Sequence, residues 1–333
     1  MVRISGIFLL AISLPGSLCH AQILEQGNVT DFISRMEMAH GFDRNGLREL
    51  FSNIKISKAV LEAISRPAEK LPWYKYRLIF LQPDRIEQGV SFWKRYDQQI
   101  RDAEDRFGVP PEIIIAIIGV ETQYGRNTGK YRVIDSLATL GFNYPERGGF
   151  FQSELEQYLL LTREQELDPL SITGSYAGAM GIPQFISSSY RNYAVDFDHD
   201  GHTDIWKNPV DAIGSVGNYF QQHGWRAGEL IAIQAMVTGD RYKELITEDL
   251  EPNIDRKILK RYAINCREEL SPDSMVKLIE LETGNGYEFW LGMHNFYVIT
   301  RYNHSSQYAM AVFQLAERIR ESYAKQKMLM WNR

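Results

Sequence analysis

The chain has 333 residues, of which 44% are hydrophobic and 24% charged, and its formal net charge is −5. These are ordinary globular values, and the length can bury one large core or two cores with a smaller insertion. The mildly acidic balance and the lack of a basic tract argue against nucleic acid as a partner. Aromatic residues make up 12%, and the flat faces of Tyr and Trp suit stacking on sugar rings.

The first residues predict an export signal. A lone charge, Arg3, precedes the apolar residues 7–14, and Pro15 and Gly16 end this run. Ala21 then supplies a small residue at the expected cleavage position, so we predict a signal peptide over residues 1–21. The apolar run is too short to span a bilayer. A buried N-terminal helix is the alternative.

Cysteine usage fits an exported protein with a large core. The chain has two cysteines, Cys19 and Cys266, so a mature chain that starts at Gln22 keeps one thiol and forms no internal disulfide. The alternative is that Cys19 carries a lipid. Such sites prefer a small residue directly before the cysteine, and Leu18 is large, so we expect a soluble exported chain.

Helices are predicted from the start of the mature chain. Thr30 caps a short helix that Gly41 ends, and Ser57 caps a second helix that Pro67 ends. Apolar residues then recur every three or four positions from residue 84 to residue 107, which predicts one long helix.

A helix of different character follows Pro110 and Pro111. Residues 113–120 are apolar on every side, which predicts a helix that is buried all round. Further helices are predicted over residues 134–140, 149–163 and 209–223.

Beyond Trp225 the pattern changes to β-structure. Residues 276–282 and 289–299 are β-branched and aromatic runs, and the Gly284-Asn285-Gly286 tripeptide between them is a hairpin signal. Residues 305–323 return to a helical pattern. The predicted order is therefore long α, small β insertion and closing α, which is a mainly α (α+β) fold.

Glu121 is the most informative residue for chemistry, because it lies at the C-terminal end of the all-apolar helix. Apolar neighbours disfavour its charged form, and so does the negative end of the helix dipole. A carboxyl that stays protonated near neutral pH is what a glycosidic oxygen needs from a general acid. Taken alone, this glutamate could equally cap the helix or form an ion pair.

The segment 174–185, GSYAGAMGIPQF, gives Glu121 a context. Three glycines within eight residues let the backbone approach a ligand closely, and Ser175 and Gln184 offer a hydroxyl and an amide to sugar hydroxyls. Taken alone, the segment also fits a tight helix–loop contact. Together with a glutamate at the end of an apolar helix, it indicates a sugar-cleaving site.

Residues 196–204, DFDHDGHTD, indicate a calcium loop. The first, third and fifth positions are carboxylates (Asp196, Asp198 and Asp200), and the sixth is glycine. His202 at the seventh position would lend its backbone carbonyl.

This loop departs from the usual pattern at its twelfth position. Lys207 stands there instead of glutamate, and Asp211 is the nearest replacement. The two histidines would allow zinc, but hard oxygen donors dominate and favour Ca²⁺. A solvated acidic loop is the alternative.

Several stretches together resemble the lytic murein transglycosylase B family. They are GVPPEIIIAIIGVETQYG, SLATLGFNYPERGGFF, GSYAGAMGIPQF, DFDHDGHTDIW, DAIGSVGNYFQQHGW and ITRYNHSSQYAMAV, and they follow the family's order over most of the mature chain. The resemblance implies a lysozyme-like catalytic core, an added α-helical domain and a small inserted β domain. We expect these domains over residues 22–90 (α-helical), 91–225 (core with calcium loop), 226–295 (β) and 296–333 (a helical segment that closes the core).

The resemblance also implies roles for single residues, with Glu121 as the single acid/base. The substrate-binding residues that it implies are Ser175, Gln184, Tyr219, Tyr302 and Asn303. The metal ligands that it implies are Asp196, Asp198, Asp200, His202 and Asp211. One residue more separates Trp206 from Asp211 than the family pattern has.

A mechanism follows from the lack of an evident second carboxylate. An ordinary glycosidase uses two, but Asp135, Glu154 and Glu156 lie in segments that look structural. With one carboxyl, the N-acetyl group of N-acetylmuramic acid (MurNAc) can stabilise the anomeric carbon, and its own 6-hydroxyl can close a 1,6-anhydro ring. We therefore expect a lytic transglycosylase that cleaves the bond from MurNAc to N-acetylglucosamine (GlcNAc). The alternatives are a lysozyme-type muramidase on the same fold and a non-catalytic peptidoglycan-binding protein.

The same reasoning predicts the partner, the cofactors and the location of the protein. We expect peptidoglycan glycan strands as the partner, Ca²⁺ as a structural ion, no organic cofactor and no nucleic acid. The chain is expected to be a periplasmic monomer, and the family's frequent lipid anchoring leaves association with the outer membrane as an alternative.

Overall fold

The computed structural model describes residues 23–25, 27–65 and 71–331. The predicted signal peptide with Cys19, the predicted start at Gln22, and Pro67 lie outside the described residues. Among the described residues, no helix combines the length and the apolar character that crossing a membrane requires.

Short helices form the first part of the described chain. Ser57 caps one of them as predicted, since its hydroxyl accepts a hydrogen bond from the backbone N–H of Val60 at 3.3 Å. The first helix begins before Thr30, the residue predicted to cap it. The helices up to residue 107 are α1 Gly27–His40, α2 Arg44–Ser52, α3 Lys58–Ile64, α4 Trp73–Phe80, α5 Pro83–Arg95 and α6 Asp97–Phe107.

The single long helix predicted over residues 84–107 is wrong, because the chain bends at Tyr96 and forms α5 and α6. Tyr96 leaves the helical conformation, with φ −116° and ψ 30°. The bend lets the two apolar faces meet different partners: α5 packs on the last helix of the chain, and α6 packs on the helix over Pro209–Gln222. The apolar spacing continues across the bend, so the sequence carried no sign of it.

The central helix is α7 Pro111–Thr122, and it is buried all round as predicted. Its isoleucines from Ile113 to Ile118 are at most 1% exposed, and helices before and after it in the chain pack against it. The elements that follow it are β1 Tyr131–Arg132, α8 Val133–Asn143, α9 Gly148–Glu164, β2 Thr173–Gly174, α10 Ser187–Tyr193 and α11 Pro209–Gln222. Strands β1 and β2 pair antiparallel, with Tyr131 opposite Gly174.

A small antiparallel sheet follows α11. Its strands are β3 Ala232–Val237, β4 Ile254–Asp255, β5 Ile264–Cys266, β6 Met275–Thr283 and β7 Gly286–Gly292, in the spatial order β4-β6-β7-β3-β5. The hairpin signal is confirmed, since Thr283 pairs with Gly286 across Gly284 and Asn285. The sheet has its own cluster of buried residues, separate from the main core. The domain boundaries drawn from the sequence remain predictions.

The apolar run over residues 289–299 is only partly a strand, which corrects the sequence-based expectation. Strand β7 ends at Gly292, and α12 His294–Thr300 follows. Phe296, Val298 and Ile299 are at most 1% exposed, and a short apolar run of this kind fits a buried helix as well as a strand. The last helix, α13 Ser306–Trp331, packs on α4, α5, α7 and α12. The predicted mainly α fold with a small β insertion is confirmed.

Candidate active site

Helix α7 ends in a tightly capped turn directly after Glu121. Gln123 adopts the left-handed conformation with φ 52°. Its N–H bonds the carbonyl of Gly119, and the N–H of Tyr124 bonds the carbonyl of Ile118, both at 3.2 Å. The first of these hydrogen bonds, from the left-handed residue to the carbonyl four positions earlier, is an αL cap. Glu121 therefore lies in the last, capped turn of a fully buried helix, and it is itself partly exposed.

Tyr124 and Arg85 hold this turn from the side. The Tyr124 hydroxyl donates to the carbonyl of Arg85 at 2.9 Å, and the Arg85 guanidinium donates to the carbonyl of Gly119 at 2.7 Å. A Cβ atom at Gly119 would lie 2.6 Å from the Tyr124 hydroxyl. Glycine at this position is therefore what lets the tyrosine close over the helix end.

Tyr308 at the start of α13 contacts Glu121 directly. Its hydroxyl donates a 2.5 Å hydrogen bond to Oε1 of Glu121, and the side chain is 3% exposed. Burial, followed by the nearby charge of Glu121, holds the pKa of Tyr308 well above its ordinary value. The phenol therefore stays a neutral donor, and a hydroxyl that donates to a carboxylate at this distance makes a strong hydrogen bond.

Tyr219 and Tyr302 form an aromatic wall beside this pair. Their ring centroids lie 4.7 Å apart. Burial raises the pKa of both residues, and the charge of Glu121 contributes to both shifts, so both lie near that carboxylate. The Tyr219 hydroxyl donates to the carbonyl of Arg301 at 2.6 Å, and the Tyr302 hydroxyl donates to the carbonyl of Pro183 at 2.7 Å.

The segment 174–185 approaches the same region. The Ser175 hydroxyl oxygen accepts the backbone N–H groups of Ala177 and Ala179, at 3.2 and 3.0 Å. Gln184 is left-handed, with φ 53°, and its amide donates to the carbonyls of Gly181 and Thr128. These contacts fix both side chains on a turn whose residue Pro183 is tied to Tyr302.

The turn sits close against the loop that follows α7. Gly129 has φ 95°, and a Cβ atom there would lie 2.1 Å from the carbonyl carbon and oxygen of Gly174. A glycine is therefore required for β1 and β2 to pair where Ser175 begins its turn.

The structure thus brings Glu121 together with Tyr219 and Tyr302, and it links the segment of Ser175 and Gln184 to them through Pro183. Asn303 directly follows Tyr302, and its backbone carbonyl accepts the N–H of Ser305 at 2.7 Å. The sequence reasoning gave no role to Tyr308. The available signal was that Tyr308 falls on the buried stripe of α13 with Val312, Leu315 and Ile319, but its partner depends on which helix α13 covers.

The three other carboxyls that the sequence offered are engaged elsewhere. Asp135 pairs with Arg132 at 2.7 Å, and Glu156 contacts His40 at 2.9 Å. Glu154 is 4% exposed and accepts the backbone N–H of Ser188 at 3.0 Å. Each of them has a contact that holds helices or loops together.

Two carboxylates of the acidic loop converge with one from α11. Oxygen atoms of Asp196, Asp198 and Asp211 lie within 4.8 Å of one another. Asp211 on α11 is 0% exposed, and its two oxygens accept the N–H groups of Phe197 and Asp204, at 2.8 and 2.7 Å. Burial raises the pKa of Asp211, and the charges of Asp198 and Asp196 add to the rise while the two N–H groups oppose it.

This donor set fits a hard cation such as Ca²⁺, which takes carboxylate oxygens and would offset the mutual repulsion. Asp200 does not belong to the converging group, and its carboxylate accepts the backbone N–H of His202 at 2.8 Å. The predicted contribution of His202 is its backbone carbonyl. Asp211 joins the group despite the unusual spacing after Trp206.

The described residues thus place a carboxyl in the last turn of a buried helix, bonded to one buried tyrosine and near two more, an arrangement that suits an enzyme with acid/base chemistry. The family model described as "Transglycosylase SLT domain" matches residues 25–317. The chain is 44% identical over 308 residues to membrane-bound lytic murein transglycosylase B of Escherichia coli (strain K12), covering 88% of this chain and 82% of that protein.

Solved structures give the same result. Soluble lytic transglycosylase SltB1 from Pseudomonas aeruginosa matches with a TM-score of 0.84 and 48% identity, over 89% of this chain and 99% of that one. The Escherichia coli lytic transglycosylase Slt35 in complex with calcium matches with a TM-score of 0.83 and 43% identity, over 90% and 95%. The chain belongs to the transglycosylase SLT family and is a lytic murein transglycosylase, an enzyme that cleaves peptidoglycan. The lysozyme-like fold predicted from the resemblance is confirmed, and the muramidase and non-catalytic alternatives are not favoured.

Proposed function

We propose that Glu121 performs both proton transfers in the cleavage of the MurNAc-β-1,4-GlcNAc bond. The observation that carries this proposal is the contact between Glu121 and Tyr308, because a buried neutral phenol can support the carboxyl in its charged form. The structural contacts of Asp135, Glu154 and Glu156 support a mechanism with one carboxyl.

The first step is acid-catalysed. Protonated Glu121 gives its proton to the glycosidic oxygen while the bond from that oxygen to C1 of MurNAc breaks, and the leaving sugar takes the bonding electron pair. The N-acetyl carbonyl oxygen of the same MurNAc stabilises C1 on its other side.

The second step uses the same carboxyl as a base. Glu121, now a carboxylate that accepts the Tyr308 hydroxyl, takes the proton of the MurNAc 6-hydroxyl. The oxygen of that hydroxyl bonds to C1 and closes the 1,6-anhydro ring. No water is consumed, and the intramolecular attack benefits from proximity.

The residues around Glu121 are proposed to hold the glycan. Ser175 and Gln184 supply polar groups on a rigid turn, while Tyr219 and Tyr302 offer a fixed aromatic wall. Asn303 supplies an amide next to Tyr302. The fixed positions of the turn and the wall support this assignment, because each is tied to the backbone by hydrogen bonds.

Product analysis tests the proposal. Purified peptidoglycan is digested in ¹⁸O-labelled water, and the fragments are examined by mass spectrometry. We expect 1,6-anhydro ends without ¹⁸O, whereas reducing ends that contain ¹⁸O would identify a hydrolase.

Substitution of the acid/base gives the matching test. Glu121→Gln should reduce turnover to background while glycan binding and melting temperature stay close to wild type. Glu112→Gln is the matched control, because Glu112 lies on the same helix, is also only partly exposed, and pairs with Arg320 at 3.6 Å. Turnover by the Glu121 variant at the rate of this control would contradict the proposal.

Ca²⁺ is proposed as a structural ion of the 196–211 region. Asp196, Asp198 and Asp211 would hold it, with Asp200 and the carbonyl of His202 as further ligands. When bound, the ion neutralises the converging carboxylates and fastens the loop to α11. The convergence of these carboxylates and the calcium complex of the Escherichia coli relative support the assignment.

The chain is further proposed to act in the periplasm as a monomer, exported by a signal peptide that is cleaved after Ala21. The apolar run over residues 7–14 and the membrane-bound relative support export to the wall. N-terminal sequencing of the mature protein tests the cleavage site. Metabolic labelling with palmitate, compared with the Cys19→Ala variant, tests the alternative of a lipid on Cys19 and association with the outer membrane.

A further inference from the structure

Thr122, the residue after Glu121, has a buried hydroxyl that connects separate parts of the site. The side chain is 0% exposed. Its oxygen lies 2.8 Å from the carbonyl oxygen of Ile182 and accepts the backbone N–H of Gly125 at 3.0 Å. The carbonyl of Ile118, one turn earlier in its own helix, is more distant, at 3.3 Å.

A threonine hydroxyl has one hydrogen to donate. Near helix ends threonine commonly bonds the carbonyl four residues back in its own helix. Here the shorter contact leaves the helix and reaches a residue 60 positions along the chain. The geometry therefore assigns the hydrogen of Thr122 to Ile182 and leaves the hydroxyl oxygen to accept the N–H of Gly125.

Ile182 is a central point of the substrate-binding segment. Its neighbour Pro183 accepts the Tyr302 hydroxyl, and Gln184 follows. The N–H of Ile182 bonds the carbonyl of Ile205 at 2.8 Å, so Ile182 is also fixed from the side of the acidic loop. The hydroxyl of Thr122 thus ties the helix end that carries Glu121 to a backbone that is already held on both sides.

We propose that Thr122 is a positioning residue for Glu121. It sets the distance between the catalytic carboxyl and the segment that carries Gln184, and through Gly125 it fixes the turn that caps α7. The inference rests on the proposed role of Glu121 and deepens it. Thr122 touches neither glycan nor reacting atoms, so its effect falls on turnover more than on binding.

The test compares three variants. Thr122→Val keeps the shape and removes the hydroxyl. Thr122→Ser restores the hydroxyl without the methyl group. Thr162→Val is the matched control, because Thr162 is 4% exposed on α9 and its hydroxyl bonds the carbonyl of Leu159 in its own helix at 3.1 Å.

We expect Thr122→Val to lower kcat on peptidoglycan by about 10- to 100-fold, the range that a misplacement of about 1 Å causes. KM should change by less than about twofold, because the contacts that bind the glycan in the ground state are retained. Thr122→Ser should recover most of the lost kcat, and Thr162→Val should keep the wild-type value. Should the valine variant fail to fold, Thr122→Ala takes its place in the same comparison.

Three outcomes would overturn the inference. The first is a kcat of Thr122→Val equal to wild type. The second is a kcat of Thr122→Ser as low as that of the valine variant. The third is a loss of kcat in Thr162→Val of the same size as in Thr122→Val, at equal melting temperature. Failure of the proposed function would be seen separately, as turnover by the Glu121→Gln variant. That result does not depend on the kcat of the Thr122 variants.

Discussion

In the proposed mechanism Glu121 is an acid in the first step and a base in the second, and the Tyr308 hydroxyl stabilises its charged form. A hydrogen bond to a charged group contributes about 1.5–3 kcal/mol. The raised pKa of Tyr308 means that the phenol remains protonated throughout the working pH range. The donor is therefore present whenever the carboxylate forms.

Removal of this donor is predicted to change both rate and pH dependence. Tyr308→Phe should lower kcat by about 10- to 100-fold, the factor that corresponds to a hydrogen bond of this kind. Hydrogen bonding favours the charged form of a carboxyl, so without it Glu121 keeps its proton to a higher pH. The alkaline limb of the kcat/KM profile should move to higher pH.

The control for this prediction is Tyr323→Phe. Tyr323 lies on the same helix but several turns after Tyr308. Its ring stacks on Trp93, and its hydroxyl donates to Asp97 at 3.2 Å. This variant should keep the wild-type profile. A Tyr308→Phe profile whose alkaline limb stays in place or moves to lower pH would contradict the proposed role.

Among the secondary-structure elements, the two-residue strands β1 and β2 fix the position of segment 174–185. Strands β1 and β2 pair over only two positions, so their pairing is weak by itself and depends on close backbone contact. Gly129 makes that contact possible. The same strands place Ser175 at the start of its turn.

Gly129→Ala is therefore predicted to disrupt the site. The new Cβ would lie 2.1 Å from Gly174 at a φ of 95°, so either the strands separate or the loop refolds. We expect a lower melting temperature and a fall in kcat/KM of at least about tenfold, since misplaced binding groups cost that much or more.

Gly149→Ala is the matched control for a glycine change. Gly149 lies in α9, and a Cβ atom there meets nothing within 4 Å. Because alanine favours a helix over glycine by up to about 1 kcal/mol, this variant should be as stable as wild type or more stable, with unchanged activity. Equal behaviour of the two variants would show that the strand contact at Gly129 is not needed.

The elements also show which features a sequence reveals. Residues 113–120 predict a buried helix because no polar face interrupts them, and this places Glu121 at its end. The spacing of residues 289–299 fits strand and buried helix alike, and the spacing from 84 to 107 continues across the bend at Tyr96. In these two segments the secondary structure depends on which other elements each apolar face packs against. A single sequence does not reveal that packing.

At the scale of the whole molecule, the acidic loop joins α11 to the region that precedes it. Asp211 reaches the loop from α11, and a bound ion would link the two. A ligand present at 100 times its Kd stabilises the folded state by about 2.7 kcal/mol. We therefore predict that bound Ca²⁺ raises the free energy of unfolding of this protein.

Chelation tests this prediction. A calcium chelator should lower the melting temperature of the wild type by several degrees, as expected for a loss of about 2–3 kcal/mol. Asp196→Asn should melt at one temperature with or without the chelator. Asp273→Asn, whose side chain is 96% exposed outside the loop, should respond like the wild type. A wild-type melting temperature that changes with neither Ca²⁺ nor chelator would contradict a stabilising Ca²⁺ ion at this loop.

The candidate site was predictable where its parts are local in sequence. Asp196, Asp198 and the hydroxyl and amide of segment 174–185 follow from spacing within a few residues. Tyr308 did not follow, because it lies 187 positions from Glu121 and meets it only after α13 packs on α7. Its role is a property of the assembled chain.

That separation also matters while the chain is being synthesised. During synthesis Glu121 and its helix are made long before α13, and contacts between such distant segments form late in folding. A nascent chain that ends before Ser306 lacks both the phenol that supports the carboxylate and the helix that covers α7. We therefore expect an enzyme that cuts the cell wall to remain inactive during its own synthesis, until α13 packs on α7.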